Sequence, residues 1–140
     1  TLFPYTTLFR SPSGDPSGRA AWEQDCIEIF LDTAPERNSL KHPELYTENV
    51  IRLFVVPYAK NNLIIDSKDQ KFKATQCKVF SQNGAYDVEL EIPLDSSQNL
   101  LGFDVQIDDA DTKSKKSTAF WSSQGNAYKD RLEFGFIIRN

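Results

Sequence analysis

Strict alternation of apolar and polar side chains is the feature that most restricts how this chain can fold. In residues 86–93, Tyr86, Val88, Leu90 and Ile92 alternate with Asp87, Glu89 and Glu91. A strand sends successive side chains to opposite faces, so such a segment buries one face and wets the other. Residues 26–32 (CIEIFLD) repeat the pattern, with Ile27, Ile29 and Leu31 on one side and Cys26, Glu28 and Phe30 on the other, and read as a half-buried strand. In residues 103–108, Phe103, Val105 and Ile107 point inward. Further strands are expected at 50–58 (VIRLFVVPY), 63–66, 72–80, 118–121 and 133–139. Asn83-Gly84 marks a hairpin turn ahead of the 86–93 strand. Residues 33–49 are polar, contain Pro35 and Pro43, and read as a long loop with at most a short helical turn. Turns recur at short spacing and no long stretch has a 3.6-residue period, which predicts an all-β chain: an antiparallel β-sandwich of jelly-roll or immunoglobulin-like type.

A length of 140 residues suits one domain with a sizeable core. The net charge of −4, without a long basic run, argues against nucleic acid and anionic membrane surfaces as partners. No apolar run approaches the roughly 20 residues of a membrane helix. Two widely spaced cysteines, Cys26 and Cys77, make neither a disulfide framework nor a zinc site, and leave a thiol pair or a single disulfide open. Residues 1–11 (TLFPYTTLFRS) stand apart. Read back into codons, all eleven resemble a sequencing adapter translated in frame. They are expected to be a non-native scar, with residues 12–140 forming a partial domain whose first strands are lost. Residues 12–21 (PSGDPSGRAA) read as a loop.

Four blocks carry the functional signal: AWEQDCIEIFLD (21–32), AYDVELEIPL (85–94), GFDVQIDDAD (102–111) and FWSSQGNAYKDRLEFG (120–135). In this order and spacing they resemble carbohydrate-binding module family 9, whose members are appended to xylanases and related secreted proteins. The resemblance implies a β-sandwich that binds polysaccharide or oligosaccharide of glucan and xylan type, typically at reducing ends. Two aromatic rings would clamp the sugar while polar side chains take its hydroxyls. It also implies structural calcium, a fused catalytic domain in the full-length protein, a role in cellulose or xylan breakdown, and an extracellular or periplasmic location.

A pyranose has apolar C–H faces and a rim of hydroxyls, so its site needs flat rings beside planar charged groups. Trp22 lies at a loop-to-strand junction, where the resemblance implies a clamping ring; a core-edge Trp is the alternative. Glu28 points away from Ile27 and Ile29 and matches the family's hydroxyl-binding Glu, or is a solvated strand carboxylate. Arg52 interrupts an apolar strand and either pairs with Glu28 or forks onto two hydroxyls. For the second ring, Tyr128 is favoured over Trp121, which also reads as a core aromatic. Asn126 is a plausible hydroxyl partner, and Gln106 and Asp108 alternate with core residues and could reach the same face.

Other functions fit less well. Residues 108–111 (DDAD) lack the spacing of an EF-hand and read as a polar turn, which leaves any metal ligands unknown. The one histidine, His42, lies in a Pro-flanked loop away from any nucleophile motif, so no independent catalysis is expected. A haem- or redox-binding sandwich of DOMON type would use Met and His ligands, and the chain has no Met. A protein-interaction domain is the remaining alternative.

Overall fold

The computed structural model describes residues 20–36, 40–112 and 115–139, so the expected scar at 1–11 and the loop at 12–19 lie outside the described residues. Among the described residues there are eight strands: β1 (Cys26–Asp32), β2 (Val50–Val55), β3 (Leu63–Asp66), β4 (Gln76–Gln82), β5 (Ala85–Glu91), β6 (Leu100–Thr112), β7 (Lys115–Phe120) and β8 (Gly135–Ile138). The helical pieces among the described residues are short 3₁₀ turns at Ala21–Glu23, Gln70–Ala74 and Arg131–Glu133. The expected antiparallel sandwich is what forms. One sheet runs β3-β2-β1-β6-β7, with β8 pairing the other half of β6, and a β4-β5 hairpin makes the second sheet. Every pairing is antiparallel.

The core lies between the sheets. Ile27, Ile29 and Leu31 of β1 meet Ile51, Leu53 and Val55 of β2 and Leu101 and Val105 of β6. The hairpin covers them with Tyr86, Val88, Leu90, Cys77 and Val79. Its turn uses Asn83 (φ 53°) and Gly84 (φ 77°). Two successive left-handed residues match the twist of the strands they join.

Several elements depart from expectation at their edges. Residues 72–74 close a 3₁₀ turn before β4, because Asp69 caps it by accepting from the Lys71 amide. β6 runs through residues 108–111, so the expected polar turn is strand instead; Asp109 pairs with Ser117. The larger correction concerns β1. Expected to be half-buried, it is buried at all seven residues. Its outer face carries Cys26, Glu28, Phe30 and Asp32, and loops lie over it. The two cysteines are reduced and sit on different faces, Cys26 in a cluster with Ala21, Phe54 and Val56, and Cys77 against the main core.

Leu53 is fully buried at the centre of the core, while Ile64 on neighbouring β3 is exposed. Leu53→Ala is expected to lower unfolding free energy by about 2–5 kcal/mol. Ile64→Ala at the surface is expected to change it by about 0.5 kcal/mol or less. Urea denaturation of both variants measures the contrast, and equal losses would contradict this placement of the core.

Candidate functional site

The outer face of the large sheet is built in rows by strand register. Phe54 of β2, Glu28 of β1, Gln106 of β6 and Phe120 of β7 stand directly opposite one another. Arg52, Phe30 and Asp104 form the adjacent row. Directly paired residues share a face, so these side chains line one surface.

Three of the residues singled out in the sequence converge there. The Arg52 guanidinium donates through Nε (3.0 Å) and Nη2 (2.6 Å) to Glu28 Oε2. It lies 4.6 Å from the Phe54 ring centroid, 5.4 Å from Phe30 and 5.8 Å from Trp22. Trp22, in the 3₁₀ turn before β1, packs 5.9 Å from Phe54 and keeps 48% of its surface exposed. Of the two readings of Arg52, the pairing with Glu28 is realised. Its Nη1 makes no hydrogen bond among the described residues, so a donor remains at a partly exposed group flanked by rings.

Glu28 is 1% exposed, which removes the solvated-carboxylate reading. Burial pushes its carboxyl above the ordinary value of 4.5. Arg52 opposes this shift, and the neighbouring Asp108 carboxyl adds to it. Asp108 is itself fully buried and accepts from Gln106 Nε2 at 2.8 Å. The floor therefore carries two hydrogen-bonded polar pairs side by side, Arg52 with Glu28 and Gln106 with Asp108.

Two loops cover the rest of this face. The 121–134 loop packs Ala127 and Phe134 onto Phe30 and Val50. Asp104 accepts from the amides of Ser122 (2.8 Å) and Ser123 (3.1 Å). Arg131 is fully buried and donates to Asp32 Oδ2 at the end of β1 (3.0 Å) and to the Pro43 carbonyl (2.7 Å). Its own amide reaches the Glu44 carbonyl, so one residue ties both loops to the sheet. Tyr46 adds a bond from its hydroxyl to the Ala127 carbonyl.

Tyr128 stands on this loop, 48% exposed, with Lys129 Nζ 5.5 Å from its ring. Asn126 is engaged: its Nδ2 donates to Glu133 Oε1 at 3.0 Å and its amide to Oε2 at 3.1 Å. These bonds hold the Glu133 carboxyl below the ordinary range. Trp121 is not brought to the site face. Its amide bonds the Val105 carbonyl, one residue past the Gln106–Phe120 pair, and its ring packs 5.5 Å from Phe103. Strand alternation thus turns it to the face that carries Phe103, where half of its surface stays exposed. Sequence reasoning missed Phe54, Phe120 and Asp104 on this face; their positions in alternating segments were visible, but not which strands would stand beside Glu28.

His42 lies at the surface, 3.3 Å from Glu44. Among the described residues no group of three or more His, Cys, Asp or Glu is placed to hold a metal ion. No described helix is long and apolar enough to cross a membrane.

Removing one member of a buried ion pair is costly. Arg131→Ala is expected to destabilise the fold by about 3–5 kcal/mol in chemical denaturation. For Glu28, the raised carboxyl means the folded chain holds its proton more tightly than the unfolded chain. That contribution is complete below 4.5 and is lost as pH rises through the folded value. Urea unfolding from pH 4 upward is therefore expected to show a falling component that Glu28→Gln lacks; identical slopes in both proteins would refute it.

Comparison with known proteins shows the family and the fold. A family profile described as "Carbohydrate family 9 binding domain-like" matches residues 11–138. The chain is 28% identical over 124 residues to Exoglucanase XynX of Acetivibrio thermocellus, covering 84% of this chain and 11% of that protein. It is similar to a family 9 carbohydrate-binding module from Caldicellulosiruptor kristjanssonii solved with cellotriose, at TM-score 0.75 and 24% identity over 95% of this chain and 65% of that one. A structure of a family 9 module from the same organism with glucose gives 0.66 and 22% identity, over 91% and 64%. The chain thus spans about two thirds of those solved modules and a small part of the exoglucanase.

Proposed function

Because the chain belongs to the family 9 carbohydrate-binding domains, we propose that it binds glucan-type saccharides without catalysing their breakdown, on the face around Trp22 and Arg52. The observation that carries the reading is the convergence of an exposed indole and a guanidinium over a buried polar floor. The Trp22 ring offers a flat apolar surface to the C–H face of a sugar. Arg52 donates to a ring hydroxyl, with Glu28 holding the guanidinium in place through two bonds to one oxygen. In this reading Glu28 works through Arg52 rather than by touching the sugar. Tyr128 supplies a second ring from the loop that Arg131 anchors, and the Asn126 amide oxygen is an acceptor beside it. The two family 9 modules solved with cellotriose and glucose support the saccharide class. The haem-binding and protein-interaction alternatives find no such support.

The wider role follows as proposal. Similarity to a short part of an exoglucanase supports a module joined to a polysaccharide-acting enzyme; its work outside the cytoplasm on cellulose or xylan is proposed from the family resemblance.

Titration calorimetry with glucose and cellotriose tests the site. Trp22→Ala is expected to weaken binding about tenfold or more, as loss of a central aromatic contact does. Arg52→Lys, which loses the fork but keeps the charge, is expected to weaken it as well. Undiminished affinity in Trp22→Ala would overturn the assignment.

A further inference from the structure

We propose that Phe120 is a further sugar-contacting ring, at the opposite end of the floor from Trp22, and that it makes the face select ligands longer than one sugar unit. The inference rests on the saccharide reading of this face and extends it to a residue that neither the sequence motifs nor the comparisons single out.

Register provides the argument. Phe54, Glu28, Gln106 and Phe120 stand in one row across four adjacent strands. Neighbouring strands lie about 4.8 Å apart, so the two Phe positions are separated by about 14 Å. Trp22 packs on the Phe54 end. The row therefore runs from a ring pair, over a buried carboxylate and a buried amide, to a second ring, and it is wider than one pyranose. Gln106 is nearly buried, whereas Phe120 keeps 38% of its surface exposed. A strand-edge Phe on this face would ordinarily be covered, and the adjacent loop does not cover it fully.

The loop instead meets the ring at its tip. Gly125 has φ +97°, and a Cβ there would fall 3.1 Å from Phe120 Cζ. Only glycine accepts both that backbone and that approach without displacement of the ring. Asp104 fixes the same loop through the Ser122 and Ser123 amides, and Glu133 fixes it through the Gln124 and Asn126 amides. Phe120 thus sits against a fastened turn with part of its surface toward solvent. A second sugar unit reaching along the row from Trp22 would meet this ring, and a single unit held at Trp22 would not.

The test is calorimetry of the whole chain with glucose and with cellotriose, using Phe120→Ala, Phe120→Leu and Phe120→Trp. Leu fills most of the volume but removes the flat ring, which separates stacking from packing; a thermal melt of each variant reports folding. Cellotriose affinity is expected to fall about 3- to 10-fold in Ala and Leu and to be kept in Trp, with glucose affinity within about twofold of the parent throughout. Equal losses for both sugars, or full cellotriose affinity in Phe120→Leu, would overturn the proposal. If Trp22→Ala abolishes binding while every Phe120 variant binds as the parent does, the Trp22 site stands and only the role of Phe120 falls. A folded parent chain that binds neither sugar refutes both.

Discussion

The buried ion pair between Asp32 and Arg131 is the contact on which the outer face depends. Asp32 closes β1, the central strand, and Arg131 lies 99 positions later in a 3₁₀ turn. Neither side chain reaches solvent. Removing two charges from water is expensive, and the cost is recovered only when every neighbouring group is well placed. Here the guanidinium also takes the Pro43 carbonyl, while the Arg131 amide takes that of Glu44. Arg131 Nη2 finds no acceptor among the described residues, which subtracts from what the pair contributes to stability. One cation thereby sets where two loops cross the sheet.

That crossing changes what the outer face is. A sheet in an antiparallel sandwich ordinarily shows one face to water. In this chain the loops bury Phe30 beneath Ala127 and Phe134, and leave open the region around Trp22, Arg52 and Phe120. Polar side chains on the covered strands are then desolvated and pair with one another. The raised carboxyl of Glu28 and its hold on Arg52 are two results of the same burial. A binding face on rigid strands, with charges already fixed by partners, meets a ligand with little reorganisation.

Much of this was legible in the residues. The alternation in β5 and β6 identified the inner face correctly, and Asn83-Gly84 located the hairpin. The interruption of an apolar strand by Arg52 was also readable, with the pairing to Glu28 as one of its two readings. Other features were not. The outer face of β1 looked wet because Glu28 and Asp32 are acids, yet both are covered by partners distant in sequence. Residues 108–111 read as a turn, whereas pairing with β7 holds them in a strand. Trp121 and Phe120 are adjacent, and a one-residue difference in strand phase decides which of them stands opposite Gln106.

By itself, then, the sequence determined the strands, the antiparallel sandwich and the inner core, because period-two patterning is a local property of each segment. It also nominated the indole, the carboxylate and the guanidinium, since their chemistry is visible wherever they stand. The tertiary structure alone decided which rings share their face, that Glu28 supports Arg52 from beneath, and that Arg131 holds the covering loops. Those facts depend on register between strands and on contacts between residues up to 99 positions apart, and no local pattern encodes them.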